Sequence, residues 1–135
     1  MSVPLDAPSS QAACLLYIED NPVNRLVVEE LLSGHSELFL ECAEDGQAGV
    51  ERARALRPRL ILLDMNLPDC DGYEVLRRLR ADPSTAAIPV VALSAEASPE
   101  DARRAIAAGF TDYWTKPIDF GQFLAGLAGY YPPAR

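Results

Sequence analysis

The sequence predicts an α/β fold in which a five-stranded parallel sheet carries helices on both faces. Short apolar runs alternate along the chain with segments whose apolar residues recur at helical spacing. The length of 135 residues fits one domain that is large enough to bury a core. With 49% hydrophobic and 24% charged residues, the composition is that of an ordinary globular protein.

Each strand candidate is a short apolar run bounded by charged or turn-forming residues. The first, CLLYI, and the third, LILL, contain no charged residue, as expected of strands that are covered on both faces. The last, DYWT, is only partly apolar and gives the weakest signal. In chain order the candidates are residues 14–18, 38–42, 60–63, 88–93 and 112–115.

The first helix candidate begins at Asn21 and Pro22, a capping residue followed by proline at the first helical position. Gly34 is its predicted end. Its predicted buried face consists of Val23, Leu26, Val27 and Leu31. A weaker helical pattern covers residues 47–56.

Three further helices follow in the second half of the chain. Asp71 begins the first of them, and residues 98–101 form a capping box that begins a helix over 99–108. The last helix is predicted over residues 119–130 and is expected to end at Pro132. The predicted buried residues are Gly72, Val75, Leu76 and Leu79 in the first and Phe120, Phe123, Leu124 and Leu127 in the last, while Arg77, Arg78 and Arg80 are predicted to face solvent.

Charge and hydropathy exclude several classes of function. A net charge of −8 argues against direct binding to nucleic acid, which requires a basic surface. Residues 1–12 lack the features of a secretion signal, and no apolar run approaches the ~20 residues of a membrane helix, so a cytoplasmic location without membrane insertion is expected. Residues 1–12 are predicted to be a disordered or linker segment, 13–130 the domain and 131–135 a tail.

The cysteines give no metal or disulfide signal. Cys14, Cys42 and Cys70 are odd in number and far apart, and His35 is the only histidine. Neither a disulfide framework nor a zinc site follows from this spacing.

Polar residues follow four of the predicted strands directly. Glu19 and Asp20 follow the first, Asp64 the third, Ser94 the fourth and Lys116 the fifth. In a parallel α/β sheet, ligands bind in the crevice beyond the carboxyl ends of the strands, so these side chains are expected to converge there. Clustered carboxylates repel each other unless a cation lies between them, and oxygen ligands suit Mg²⁺.

Each residue taken alone also has an ordinary structural interpretation. The acidic pair could solvate a loop near a helix N-terminus, Asp64 could begin a turn, and Ser94 could be a turn hydroxyl. Lys116 is less ordinary, because it is the single lysine among twelve basic residues and therefore indicates a site that needs a compact point charge. The coincidence of all these positions at strand ends favours a functional site.

The segments that carry these residues resemble the receiver domain of two-component response regulators. The matching stretches are YIEDNPVNR, LILLDMNLPDCDGYEVLRRLR, IPVVALSA and AGFTDYWTKP, within residues 13–130. EDNPVNR and GFTDYWTKPID look most like receivers of hybrid sensor histidine kinases. The resemblance implies a doubly wound, flavodoxin-like sheet with strand order 2-1-3-4-5 and five helices on its two faces.

The resemblance also implies a role for each site residue. Asp64 would be the phosphoacceptor. Asp20 and Asp64 would bind Mg²⁺ through their side chains, Asn66 through its backbone carbonyl and Glu19 mainly through water. Ser94 and Lys116 would each bind a phosphoryl oxygen.

Signalling would follow from the same resemblance. Tyr113 matches the switch aromatic of the family, and the Lys116–Pro117 bond is expected to be cis. The implied partners are a histidine kinase or a histidine phosphotransfer domain and a downstream output protein. The resemblance also allows a homodimer through helix 99–108, strand 112–115 and helix 119–130.

The main interpretation is therefore a signalling receiver that catalyses only its own phosphotransfer and dephosphorylation. One alternative is a pseudo-receiver that only binds a partner, although every chemical residue is present. Another is an aspartate-nucleophile hydrolase of the haloacid dehalogenase kind, which requires a second aspartate two residues after the nucleophile. Asn66 occupies that position instead.

Overall fold

A computed structural model describes residues 14–35 and 38–131. These residues form a five-stranded sheet in the order β2-β1-β3-β4-β5, and all its strand pairs are parallel. Strands and helices alternate along the chain. The strands are β1 (Cys14–Ile18), β2 (Phe39–Ala43), β3 (Leu60–Asp64), β4 (Val90–Ser94) and β5 (Asp112–Thr115), and the helices are α1 (Pro22–Leu32), α2 (Gly46–Leu56), α3 (Gly72–Ala81), α4 (Pro99–Ala108) and α5 (Phe120–Ala128).

The sheet separates two hydrophobic clusters, which gives the fold three layers. Alternate side chains of the central strands point to opposite faces, as the period of a strand requires. On one face, Leu16 and Leu63 pack with α2, α3 and α4. On the other face, Leu15 and Leu62 pack with α1 and α5. The predicted doubly wound fold and its strand order are confirmed.

Local capping signals fix the helix starts. The Asn21 side chain accepts hydrogen bonds from the first-turn amides of α1, and the Ser98 hydroxyl accepts one from the Asp101 amide of α4. Asp71 caps α3 in the same way. These bonds satisfy amides that have no partner within the helix. The Lys116–Pro117 peptide bond is cis, as expected from the resemblance.

The buried faces of the first and last helices differ from the prediction. Val28 and Leu32 are the buried residues of α1, while Val23 is 64% and Leu26 57% exposed. In α5, Phe120 is exposed. Both helices contain more apolar positions than one face holds, and the packing against the sheet selects which of them are buried.

The C-terminal end of the domain also differs. Helix α5 ends at Ala128, before the predicted end at Pro132. The hydroxyl of Tyr131 donates to the Cys14 carbonyl oxygen at 2.8 Å, so the packed domain extends at least to residue 131. Residues 1–13 and 132–135, where a linker and most of the tail were predicted, lie outside the described residues.

Candidate functional site

Three carboxylates meet at the carboxyl ends of β1 and β3. Asp64 is the last residue of β3, and Glu19 and Asp20 follow β1 directly. The strand register pairs Ile18 with Leu63, which brings the three side chains to the same edge. One carboxylate oxygen of each lies within 4.8 Å of those of the other two. Glu19 and Asp64 are buried, whereas Asp20 is exposed and forms the mouth of the cluster.

The Lys116 ammonium group bridges the two buried carboxylates. Its Nζ atom lies 3.2 Å from Glu19 Oε1 and 3.2 Å from Asp64 Oδ1. The Lys116 backbone amide donates to the Ser94 carbonyl oxygen at 2.8 Å, which fixes the chain after β5 against the end of β4. The predicted convergence of Glu19, Asp20, Asp64 and Lys116 is therefore observed in the structure.

Burial and charge shift the pKa values within this cluster. Burial raises the pKa of the Asp64 carboxyl to about 6, and the neighbouring Glu19 carboxylate adds to the rise. Burial also opposes ionisation of Glu19, but hydrogen bonding with Asp64 and the charge of Lys116 lower its pKa overall. Lys116 loses hydration as well, yet the two carboxylates raise its pKa. Asp64 is thus the carboxylate of this pair that takes up a proton more readily.

Two residues that support Glu19 were not recognised in the sequence. The Tyr17 hydroxyl donates to Glu19 Oε1 at 2.9 Å, and Arg25 Nη1 donates to the Glu19 carbonyl oxygen at 2.7 Å. Tyr17 precedes Glu19 by two positions, and residues at that spacing in a strand share a face. A tyrosine in an otherwise apolar strand was the signal that could have identified it.

Asn66 lies in the loop after β3. Its backbone amide donates to Asp64 Oδ1 at 3.2 Å, on the same oxygen that faces Lys116. Two donors therefore hold Asp64 Oδ1 in place. This contact also keeps the backbone of residue 66 beside the carboxylate cluster.

Ser94 and Tyr113 are linked through the backbone of Glu96. The Ser94 hydroxyl accepts a hydrogen bond from the Glu96 amide at 3.0 Å, and the Tyr113 hydroxyl donates to the Glu96 carbonyl oxygen at 2.6 Å. Ser94, Tyr113 and Asn66 line one cavity of about 250 Å³. The buried Ser94 side chain thus contacts the segment that leads into α4.

The donor set fits a hard divalent cation. The clustered groups offer only oxygen atoms, and two of the three carboxylates are removed from bulk water. Mg²⁺ prefers carboxylate, carbonyl and water oxygens and keeps several of its waters. An exposed carboxylate beside two buried ones suits such a partly hydrated ion. Glu19, Asp20 and Asp64 therefore form an acidic cluster compatible with Mg²⁺ binding.

The fold and the acidic crevice together define a class of signalling domain. A family model described as the response regulator receiver domain matches residues 15–128. The chain belongs to this family and is a receiver domain of two-component signalling. Within the described residues, no helix is long and apolar enough to span a bilayer.

Curated relatives include both response regulators and histidine kinases. KdpE, the KDP operon transcriptional regulatory protein of Escherichia coli K12, is 38% identical over 113 residues, which are 84% of this chain and 48% of KdpE. The histidine-protein kinase BarA of the same organism is 31% identical over 130 residues, which are 96% of this chain and 14% of BarA. The chain spans less than half the length of either relative.

Solved receiver structures share the fold. The receiver domain of the sensor histidine kinase PA1611 from Pseudomonas aeruginosa PAO1 is 33% identical with a TM-score of 0.78, over 87% of this chain and 96% of that one. A magnesium ion is coordinated in its active site cleft. A chain in the co-crystal structure of Saccharomyces cerevisiae Ypd1 with the Ssk1 receiver domain is 28% identical with a TM-score of 0.78, over 87% of both chains.

Proposed function

We propose that Asp64 accepts a phosphoryl group from a phosphohistidine of a partner protein. The observation that carries this proposal is the position of Lys116 Nζ, 3.2 Å from Asp64 Oδ1, within a cluster of three carboxylates. An ammonium group beside the acceptor stabilises the charge that develops on the transferring phosphoryl group.

Glu19, Asp20 and Asp64 would hold Mg²⁺, together with the backbone carbonyl of Asn66. When bound, the ion supplies positive charge that reduces the repulsion between a carboxylate and an incoming phosphoryl group. The donor set and the PA1611 structure support this assignment.

The transfer requires one bond to form and one to break. An oxygen of the Asp64 carboxylate attacks phosphorus, the P–N bond to the partner imidazole breaks, and its electron pair returns to the imidazole nitrogen. Lys116 and the Ser94 hydroxyl hydrogen-bond to phosphoryl oxygens, and positioning with charge stabilisation is the main work of such a site. Water later attacks the acyl phosphate, which releases inorganic phosphate and regenerates the carboxylate.

The switch begins at Ser94. If its hydroxyl turns towards a phosphoryl oxygen, the hydrogen bond from the Glu96 amide is lost or rearranged. Tyr113 holds the carbonyl oxygen of the same residue, so the segment before α4 and the ring of Tyr113 would move together. A local charge change would thus bias a two-state element.

The partners follow from the same chemistry. A histidine kinase or a histidine phosphotransfer domain would supply the phosphoryl group, as the Ypd1–Ssk1 pairing suggests. A downstream output protein would recognise the face formed by α4, β5 and α5. Ile106 on α4 is 47% exposed and offers an apolar contact there. A homodimer through this face stays a prediction.

Labelling with acetyl phosphate and Mg²⁺ tests the proposal. Asp64→Asn removes the nucleophile and is expected to abolish the acid-stable, hydroxylamine-sensitive label, while Asp82→Asn at the end of α3 keeps it. The Asp64→Asn protein is expected to be at least as stable as the wild type, because it removes a carboxylate whose ionisation burial opposes. Stoichiometric label in Asp64→Asn would refute the assignment.

A further inference from the structure

The loop between β3 and α3 carries Asn66 beside the acceptor. At its base the Gly72 amide donates to the Met65 carbonyl oxygen at 3.1 Å, and Asn66 forms an antiparallel bridge with Asp71. These contacts close residues 65–71 into a compact loop. Neither contact involves the tip of the loop, residues 67–70.

Asp69 fastens this tip to the N-terminus of α2. Its Oδ1 accepts a hydrogen bond from the Gly46 amide at 2.8 Å, and its Oδ2 accepts one from the Gln47 amide at 3.0 Å. These are the first two residues of the helix, where amides have no partner within the helix. The Gly46 hydrogen bond is the largest cause of the lowered pKa of Asp69, so the carboxylate is the form that binds.

Close packing at Gly46 supports the same contact. A Cβ atom at this position would lie 2.5 Å from Cys70 Sγ and 2.9 Å from Val75 Cγ2. Only glycine therefore lets the loop lie this close to the helix start. Asp69 is not the only acceptor at the helix start, because the N-cap residue Asp45 accepts from the Ala48 amide through Oδ1 at 2.8 Å.

We propose that Asp69 is a positioning residue, which ties loop 65–71 to α2 and so keeps Asn66 in place beside Asp64 for Mg²⁺ binding and phosphoryl transfer. This inference rests on the proposed function. Groups that orient the ligands of a metal site contribute to its affinity although they do not touch the ion. Asp45 and Asp69 both accept hydrogen bonds from first-turn amides of α2, but only Asp69 also joins the loop to the helix.

A pair of variants at the same helix start separates positioning from capping. Asp69→Ala frees the loop tip, and the matched control Asp45→Ala removes the cap of α2 without touching the loop. We expect Asp69→Ala to weaken Mg²⁺ binding about tenfold by calorimetry, and to speed amide hydrogen exchange in residues 65–71. Asp45→Ala is expected to lower the melting temperature without weakening Mg²⁺ binding to that extent.

Two further variants guard against a simple loss of folding. Asp69→Asn keeps one acceptor oxygen and is expected to restore part of the Mg²⁺ affinity. Gly46→Ala leaves the Asp69 carboxylate intact but displaces Cys70, and it is expected to weaken Mg²⁺ binding through the loop.

The outcomes distinguish this inference from the proposed function. Equal Mg²⁺ affinity in Asp69→Ala and Asp45→Ala, in a wild type that binds Mg²⁺ and takes up label, would overturn the positioning role alone. A wild type that neither binds Mg²⁺ nor takes up label would overturn the proposed function, and the positioning role with it.

Discussion

Helices α3 and α4 have the same length and lie side by side on one face of the sheet, yet they are anchored very differently. Of its ten residues, α3 buries Gly72, Val75, Leu76 and Leu79. Helix α4 also has ten residues but buries only Ala105, and its one large apolar side chain, Ile106, is 47% exposed. A helix with little buried apolar surface opens or shifts at a lower free energy than its neighbour.

This difference between the two helices corresponds to two parts of the site. We call Asp64, Asn66 and the loop before α3 the acceptor side, and Ser94, Tyr113 and the segment before α4 the switch side. Asp64 ends β3 and Asn66 lies in the loop before α3; under the proposed function both would have to keep their geometry, so that a metal ion binds and Asp64 accepts a phosphoryl group. The segment before α4 follows Ser94, whose hydroxyl would turn towards the phosphoryl group in the proposed switch. Arg80 of α3 donates to the Gly109 carbonyl oxygen at the C-terminal end of α4, so movement is expected at the N-terminal end.

The largest expected effect is the loss of stability when a buried side chain of α3 is truncated. Leu79→Ala deletes a fully buried side chain and is expected to destabilise the protein by about 2–5 kcal/mol. Ile106→Ala, the matched truncation in α4, is expected to cost less than about 1 kcal/mol. Urea unfolding of both variants measures the difference, and similar losses of stability would contradict the contrast between the helices.

An effect of intermediate size is the pH dependence of Mg²⁺ binding at Asp64, on the acceptor side. The Asp64 carboxyl has a pKa of about 6, and a protonated carboxyl does not bind Mg²⁺. Calorimetry at constant ionic strength is therefore expected to find Mg²⁺ binding about tenfold weaker at pH 5 than at pH 7. Without Mg²⁺, lowering the pH has the opposite effect on the stability of the fold. Because the pKa of Asp64 is raised in the folded protein, protonation of Asp64 increases the free energy of unfolding as the pH falls through 6. Unchanged Mg²⁺ affinity across this range would show that Asp64 is not a ligand.

The smallest expected effect comes from removing the Tyr113 hydroxyl on the switch side. Tyr113→Phe removes the hydrogen bond to the Glu96 carbonyl oxygen, at a cost of about 0.5–1.5 kcal/mol. Phosphorylation by acetyl phosphate is expected to proceed at the wild-type rate, because Tyr113 does not contact Asp64 in the proposed mechanism. Tyr131→Phe, which removes a comparable bond to the Cys14 carbonyl oxygen, is the control. A slower labelling rate in Tyr113→Phe alone would assign that residue to the acceptor side.

Local signals made much of the fold predictable. The bounds of α4 follow from Ser98 and Pro99 at its start and Gly109 at its end, because caps act over a few residues. The convergence of Asp64 and Lys116 was also predictable, since parallel strands present their carboxyl ends at one edge. The strand order came from the family resemblance rather than from periodicity. The roles of the individual site residues have the same source and stay predictions.

Contacts between distant segments that do not follow from the order of parallel strands were not predictable. Arg80 was expected to face solvent, but it donates to the carbonyl oxygens of Ala86, Ile88 and Gly109, which only the folded chain brings together. No role for Asp69 was predicted from the sequence, and its partners lie 22 and 23 residues away. Neither spacing nor composition carries such information.

Hydrogen exchange on the wild-type protein, with and without Mg²⁺ and beryllofluoride as a phosphoryl mimic, tests the central claim most directly. We expect the amide exchange rates to change in residues 95–98 and at the start of α4, while those of α3 stay the same. Equal changes in both helices, or a response confined to α3, would contradict the assignment of a fixed acceptor side and a movable switch side.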